Sequence, residues 1–282
     1  MMDGIILVNK PLNCTSHDVV NRLRRVLHTK KVGHCGTLDP LASGVLVVCV
    51  NKATKAIQFL SSEDKTYIAT IRLGMSTDTY DLEGKVVETK EFKNDITLEK
   101  LNEVLQSFLG KQKQIPPIYS AIKVNGKKLY EYARNGEVVE IEPRDIEIID
   151  LKVLDFKGNE IKILAHCSKG TYIRSLCVDI ATALGYPGCM SSLVRIQSGP
   201  FKLEDSYSIE QIENNEFKMI SIDEALNHLP SLMIEDENLV IHGKQIKSDL
   251  KGQVVIKNNQ SKVLAIYEQT GKGWLKNVRG LW

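Results

Sequence analysis

A chain of 282 residues exceeds the usual single-domain size, so one large domain with a small appendage is the expected organisation. Apolar residues make up 43% and charged residues 26%, the profile of a soluble globular protein, and no stretch reaches the apolar length of a membrane-spanning helix. The net charge of +2 is uninformative about nucleic acid, because binding phosphates needs local positive potential. Its distribution says more. Residues 1–60 carry Lys10, Arg22, Arg24, Arg25, Lys30, Lys31, Lys52 and Lys55 against only Asp3, Asp18 and Asp39, whereas residues 201–240 are strongly acidic, so the first segment could face RNA and the second not easily. The apolar run 4–8 is preceded by Asp3 and ended by Asn9-Lys10-Pro11, which fits neither a signal nor a transit peptide, so a cytoplasmic location is expected. The six cysteines include no Cys-x-x-Cys pair, which points to reduced, partly buried thiols and against a disulfide framework or a zinc site.

In chain order, residues 4–9 read as a buried strand, and Thr15-Ser16 supplies an N-cap for a helix with Val19, Val20, Leu23, Val26 and Leu27 at helical spacing. Residues 30–44 read as a long loop with three glycines before a strand at 45–50. A strand at 66–73, a hairpin partner within 82–88 and an amphipathic helix at 98–109 follow. Residues 115–126 form a proline-stiffened extended segment, with a short helix near 129–134. Strands near 146–156 and 160–167 pair around Lys157-Gly-Asn159, and a helix at 171–184 ends at Gly185. Short helices are expected near 208–212 and 222–226. Beyond Pro230, short strands at 239–241, 253–257, 262–267 and 273–276 make a small all-β tail that must dock against the main body to be stable.

Asp39 stands out chemically. Pro40 holds it in an extended conformation on a glycine-rich loop, the display a nucleophilic or acid/base carboxylate needs, although Asp-Pro also merely starts turns. His34 in the same loop could serve as a donor to RNA or as a base. The loop lacks the terminal Gly-Lys-Ser/Thr of a P-loop, and there is no His-Glu-x-x-His or Gly-x-Ser-x-Gly elsewhere. Arg174 falls in the first turn of its helix, where the dipole disfavours a cation, so a partner carboxylate is the simplest reason for it. Tyr67 and Tyr172 could stack on bases or fill core.

Together, Gly4-Ile-Ile-Leu-Val-Asn-Lys-Pro11, Val32-Gly-His-Cys-Gly-Thr-Leu-Asp-Pro-Leu-Ala-Ser-Gly44, Lys65-Thr-Tyr67, Arg72-Leu-Gly74 with Thr77-Asp-Thr79, Pro116 to Gly126, Leu129-Tyr-Glu-Tyr-Ala-Arg134, Cys167-Ser-Lys-Gly-Thr-Tyr-Ile-Arg-Ser175 and Ser198-Gly-Pro-Phe201 closely resemble the bacterial tRNA pseudouridine-55 synthases, the TruB type. The resemblance implies an α+β pseudouridine-synthase fold around a central mixed, mainly antiparallel sheet over residues 1–229, plus a small all-β PUA-like RNA-binding domain over 230–282. It makes Asp39 the catalytic aspartate, Arg174 its ion-pair partner, Tyr67 the aromatic stacked on the target uracil and Tyr172 a neighbour in the pocket. His34 would contact RNA where the base is extruded, Lys10 and Pro11 would support the pocket, and Leu193 would form an apolar wall. Two features depart from the pattern: Val194 precedes a single Arg195 where consecutive arginines are common, and the tail is short for a PUA domain.

The implied reaction breaks the N1–C1′ bond of uridine 55 in the tRNA T-loop, turns the uracil and joins C5 to C1′. It imports no atoms or electrons, so no cofactor or metal is expected. One carboxylate in a closed pocket suffices, whereas glycoside hydrolysis uses two. Expected partners are tRNA alone, with no membrane, no required protein and a monomeric state. Rival readings are a silent RNA-binding or RNA-folding protein, a guide-RNA-dependent synthase and a nucleoside hydrolase.

Overall fold

The computed structural model describes residues 3–271 and 273–281, and the chain divides into two compact units, residues 1–62 with 198–282 and residues 63–197. Lys272 and Trp282 of the expected tail lie outside the described residues.

The first segment runs β1 (Gly4–Lys10), α1 (Ser16–Val26), β2 (Val32–Cys35), β3 (Ala42–Val50), a 3-10 turn over Asn51–Ala56 and α2 (Ile57–Leu60). β1 pairs antiparallel with β3 from Gly4 opposite Val50 to Lys10 opposite Gly44. Both faces of this pair are covered, which is why its strands are continuously apolar rather than alternating. On one face Ile6, Val8, Leu46 and Val48 meet Val19, Val20 and Leu23 of α1; on the other Ile5, Leu7, Val45 and Val47 pack with Phe59 and Leu60 of α2. α1 starts at Thr15 with a reciprocal capping box to Asp18, as its sequence predicts. The long loop expected over 30–44 is shorter: Val32–Cys35 pair with Val47–Val50, leaving 36–41 between strands. Gly33 sits in that strand opposite Cys49, with Ile57 Cδ1 2.7 Å from where a Cβ would be.

The second unit contains β4 (Lys65–Leu73), β5 (Met75–Thr77), β6 (Val86–Thr89), α3 (Leu98–Ser107), β7 (Gly110–Gln114), β8 (Lys123–Val124), β9 (Lys127–Lys128), α4 (Leu129–Arg134), β10 (Arg144–Lys157), β11 (Glu160–Cys167), α5 (Ile173–Ala183) and β12 (Gly188–Ser198). β7, β10, β11 and β4 are successive antiparallel neighbours, with β12 beside β4. The expected hairpin exists, but its second strand is β6 and it pairs with β5 rather than β4. β7 and β12 have no counterpart among the expected strands. β7 reads Gly-Lys-Gln-Lys-Gln and lacks apolar alternation, while β12 buries polar Arg195 and Ser198 where a sequence reading looks for apolar residues.

The chain then returns to the first unit through β13 (Phe201–Lys202), α6 (Ile209–Glu213), α7 (Ile222–Ala225), β14 (Ser231–Met233), α8 (Asn238–Ile241), β15 (Ile246–Lys247), β16 (Gln253–Lys257), β17 (Val263–Gln269) and β18 (Trp274–Gly280). The tail is a five-stranded sheet in the order β14-β16-β17-β18-β15. Residues 239–241, expected as a strand, instead belong to the helical turn Asn238–Ile241. Asp236 Oδ1 accepts the Asn238 N–H at 3.0 Å and starts the turn, and Val240 is buried inside it.

The docking expected of so short a tail is realised within the first unit. Val255, Val263, Ile266 and Leu281 enter the same core as Ile5, Leu7, Val47 and Phe59, and the Val263 N–H donates to Asp223 Oδ1 at 2.5 Å. Large-to-small changes in such cores cost about 2–5 kcal/mol each for Leu and Ile, against about 5–15 kcal/mol for a whole domain. Deleting residues 231–282 is therefore expected to unfold or aggregate the first unit. A melt of the truncated protein matching full length would show that the shared core contributes little.

Candidate active site

In the first unit the chain around Asp39 is tethered on both sides. The Ser16 hydroxyl accepts the Leu38 N–H at 2.9 Å and donates to the Leu38 carbonyl at 3.1 Å; Ser16 is buried at the first position of α1. The Asn13 N–H donates to the Pro40 carbonyl at 2.9 Å, and the Ala42 N–H to the Asp39 carbonyl at 3.0 Å. Asp39 itself is half-buried, so its carboxylate is displayed on a backbone that cannot drift. Gly36, at φ +82°, supplies the left-handed residue that carries the chain out of β2 into this loop.

Lys10 ends β1 fully buried, and its ammonium donates to the Pro11 carbonyl at 2.9 Å and the Cys14 carbonyl at 2.7 Å. A buried cation bonded to main-chain carbonyls fixes the turn that carries Asn13, and through it Pro40. Pro11 is exposed on that turn. His34 lies half-buried on β2 opposite Val48, a few residues upstream of Asp39. The structure thus brings Lys10, Pro11 and Asp39 into one tethered loop pair.

In the second unit, Tyr67 is buried on β4 opposite Ala165 of β11. Lys65, two residues before it, is also buried; burial first, and then the charge of Arg195, pushes its ammonium below the ordinary lysine value. Leu193 is buried on β12. Tyr172 is the N-cap of α5 and has no side-chain cap of its own.

Arg174, second residue of α5, is buried and donates through Nη1 to the Thr79 carbonyl at 3.0 Å and through Nη2 to the Tyr119 carbonyl at 2.9 Å. Its Nη1 also lies 3.6 Å from Asp81 Oδ2. Asp81 is one carboxylate beside Arg174 within this unit, and sequence reading did not single it out. Asp81 is itself buried, and its Oδ1 accepts the Thr79 hydroxyl at 2.6 Å and the Glu83 N–H at 3.1 Å. The only available signal was its place just after Thr77-Asp-Thr79. Asp78 inside that motif has a different task, accepting the Lys85 N–H at 2.8 Å.

All six cysteines are free and all but Cys14 are buried, as expected of reduced thiols. Burial pushes the Cys167 thiol up to about 12, which makes it an inert packing group. Among the described residues, no group of three or more His, Cys, Asp or Glu side chains could hold a metal ion, and no helix is long and apolar enough to cross a membrane.

Comparison with known proteins defines the class first. A chain of the "Crystal Structure of a Cbf5-Nop10-Gar1 Complex" superposes with a TM-score of 0.77 at 26% identity, covering 99% of this chain and 85% of that one. The chain therefore has the pseudouridine-synthase fold, α+β with a central mixed sheet and a C-terminal β domain. Residues 24–173 match the N-terminal domain model of the TruB family pseudouridylate synthases, and 174–230 match the tRNA pseudouridylate synthase B C-terminal domain. tRNA pseudouridine synthase B of Bacillus cereus is 44% identical over 299 residues, covering 99% of this chain and 97% of the relative. That of Oceanobacillus iheyensis is 46% identical over 298 residues with the same coverage. The chain belongs to the TruB family of pseudouridylate synthases.

Proposed function

We propose that the protein isomerises uridine 55 in the T-loop of tRNA to pseudouridine, without a guide RNA and with Asp39 as the catalytic carboxylate. The observation that carries this reading is the tethered Asp39 loop in a chain that matches curated tRNA pseudouridine synthases along 99% of its length. The reaction class, an isomerase acting on tRNA, follows from family membership; the target position, base flipping and residue roles are the proposal.

Asp39 either attacks C1′ or removes the C2′ proton to give a glycal, and in both routes the glycosidic electrons leave with the uracil. After the base turns, C5 bonds to C1′ as the Asp39–C1′ bond breaks in the first route, or as C2′ regains its proton from Asp39 in the second; the C5 proton is then lost to solvent and N1 gains one, so the product is an isomer of the substrate and Asp39 is regenerated. A base stacked in an RNA loop is out of reach, so the uridine is flipped at a cost of a few kcal/mol that stacking and basic contacts offset. Tyr67 stacks on the uracil, Tyr172 and Leu193 shape its surroundings, His34 contacts RNA where the base leaves, and Lys10 with Pro11 supports the Asp39 loop. Arg174 orders the second unit's share of these groups. Residues 1–229 form the catalytic domain and 230–282 a PUA-like RNA-binding domain; the protein acts as a cytoplasmic monomer with no protein partner.

Release of tritium from 5-tritiated uridine in tRNA, with no guide RNA present, separates this reading from its rivals. A silent binding protein releases none, a guide-dependent synthase needs the guide, and a hydrolase liberates free base. Because the isomerisation draws on no electron source and no metal-activated water, full turnover in chelator is expected with tRNA prefolded. Loss of activity on that prefolded substrate, restored by a divalent ion, would contradict it.

A further inference from the structure

The first turn of α5 carries two proposed site residues, Tyr172 and Arg174, yet its N-cap offers no side-chain oxygen to its own backbone. Another residue instead holds the main chain of the N-cap residue itself. Gln114, last residue of β7 and buried, accepts the Tyr172 N–H on Oε1 at 2.8 Å and donates from Nε2 to the Tyr172 carbonyl at 3.1 Å. One amide thus grips both polar groups of a single residue. The next residues continue the seam: the Ser175 hydroxyl donates to the Ile115 carbonyl at 2.9 Å and Arg174 Nη2 to the Tyr119 carbonyl at 2.9 Å.

We infer that Gln114 is a positioning residue of the modification site, setting the pose of Tyr172 and Arg174 without touching the uridine. The inference rests on the site reading given under the proposed function. The chemistry is selective for glutamine. Its amide accepts and donates at once, a glutamate carboxylate accepts only and would set an oxygen against the Tyr172 carbonyl, asparagine is one methylene short, and methionine fills the volume without either bond. With the amide gone, the Tyr172 N–H loses this acceptor and the Tyr172 carbonyl, which still accepts the Leu176 N–H at 3.0 Å, loses this donor, so α5 gains freedom to rotate its first turn. Misplacement of about 1 Å at a reacting group costs up to about a hundredfold in rate.

The test uses the full chain with Gln114→Met and Gln114→Glu, measuring single-turnover pseudouridine formation at saturating enzyme, tRNA affinity at fixed salt, and the pH dependence of the rate relative to wild type. Gln114→Met is expected to lose about tenfold or more in rate with affinity within about threefold. Gln114→Glu should recover toward wild type as pH falls, because the protonated acid again accepts and donates, while the Gln114→Met ratio stays flat. If Gln114→Met does not fold, the pH dependence of Gln114→Glu decides alone. A wild-type rate in Gln114→Met, a defect wholly in affinity, or a flat ratio for Gln114→Glu overturns the inference. Those results beside a slow Asp39→Asn would remove only Gln114, whereas wild-type rates in both Asp39→Asn and Arg174→Lys would overturn the site reading beneath it.

Discussion

Asp39→Asn is expected to abolish pseudouridine formation, by about a thousandfold or more, while folding and tRNA binding stay largely intact. The amide is nearly isosteric with the carboxylate. The bonds that fix the loop run through the Ser16 hydroxyl, the Leu38 backbone and the carbonyls of Asp39 and Pro40, so they survive the change. What disappears is the negative charge and the basic lone pair. Direct attack on C1′ and removal of the C2′ proton both need them, so the two routes fail together. Binding is spread over many phosphate and base contacts, and removing one acid from the basic first segment reduces repulsion toward RNA. Tritium release under single-turnover conditions and filter binding of the same unmodified tRNA make the paired measurement. Release near the wild-type rate would refute the catalytic assignment, as would a loss explained by weak binding or by an unfolded protein.

Much of the Asp39 half of the site was legible because its determinants are local. Thr15 caps α1 from one residue away, Pro40 adjoins Asp39, and the continuous apolar runs within 4–9 and 45–50 bracket the loop. What the sequence hid were partners distant along the chain. Asp81 lies 93 residues from Arg174 and Gln114 lies 58 from Tyr172, and neither spacing carries a period that pattern reading can detect. The same cause hid β7 and β12. Gln114 of β7 and Arg195 and Ser198 of β12 are polar residues that are buried, where a sequence reading looks for apolar ones. At 239–241 the apolar run Leu-Val-Ile looked like a strand, but the local Asp236 turn decided its shape.

Arg174→Lys keeps the positive charge and is nonetheless expected to lower turnover by roughly ten- to a hundredfold with near-normal tRNA affinity. The guanidinium reaches, among its partners, the Thr79 carbonyl at 3.0 Å, the Tyr119 carbonyl at 2.9 Å and Asp81 Oδ2 at 3.6 Å. These sit on two different segments, 77–81 and 115–120, which Arg174 joins to α5. A lysine ammonium is a compact point charge whose donors radiate from one atom; it cannot span the planar separation of Nη1 and Nη2, so at least one carbonyl goes unsatisfied. In a buried position that cost is about 1–3 kcal/mol, enough to shift a segment but not to unfold a domain worth about 5–15 kcal/mol. The lost order then appears in the rate rather than in the melt. Arg174→Met, which removes the charge as well and leaves Asp81 buried without its cation, should be worse in both rate and stability. Single-turnover rates, tRNA affinities and melting temperatures of the two variants test the ranking. Unchanged turnover in Arg174→Lys would remove Arg174 from the set of residues on which the reaction depends, and equal stability of Arg174→Met and wild type would mean that its pairing with Asp81 contributes nothing to the fold.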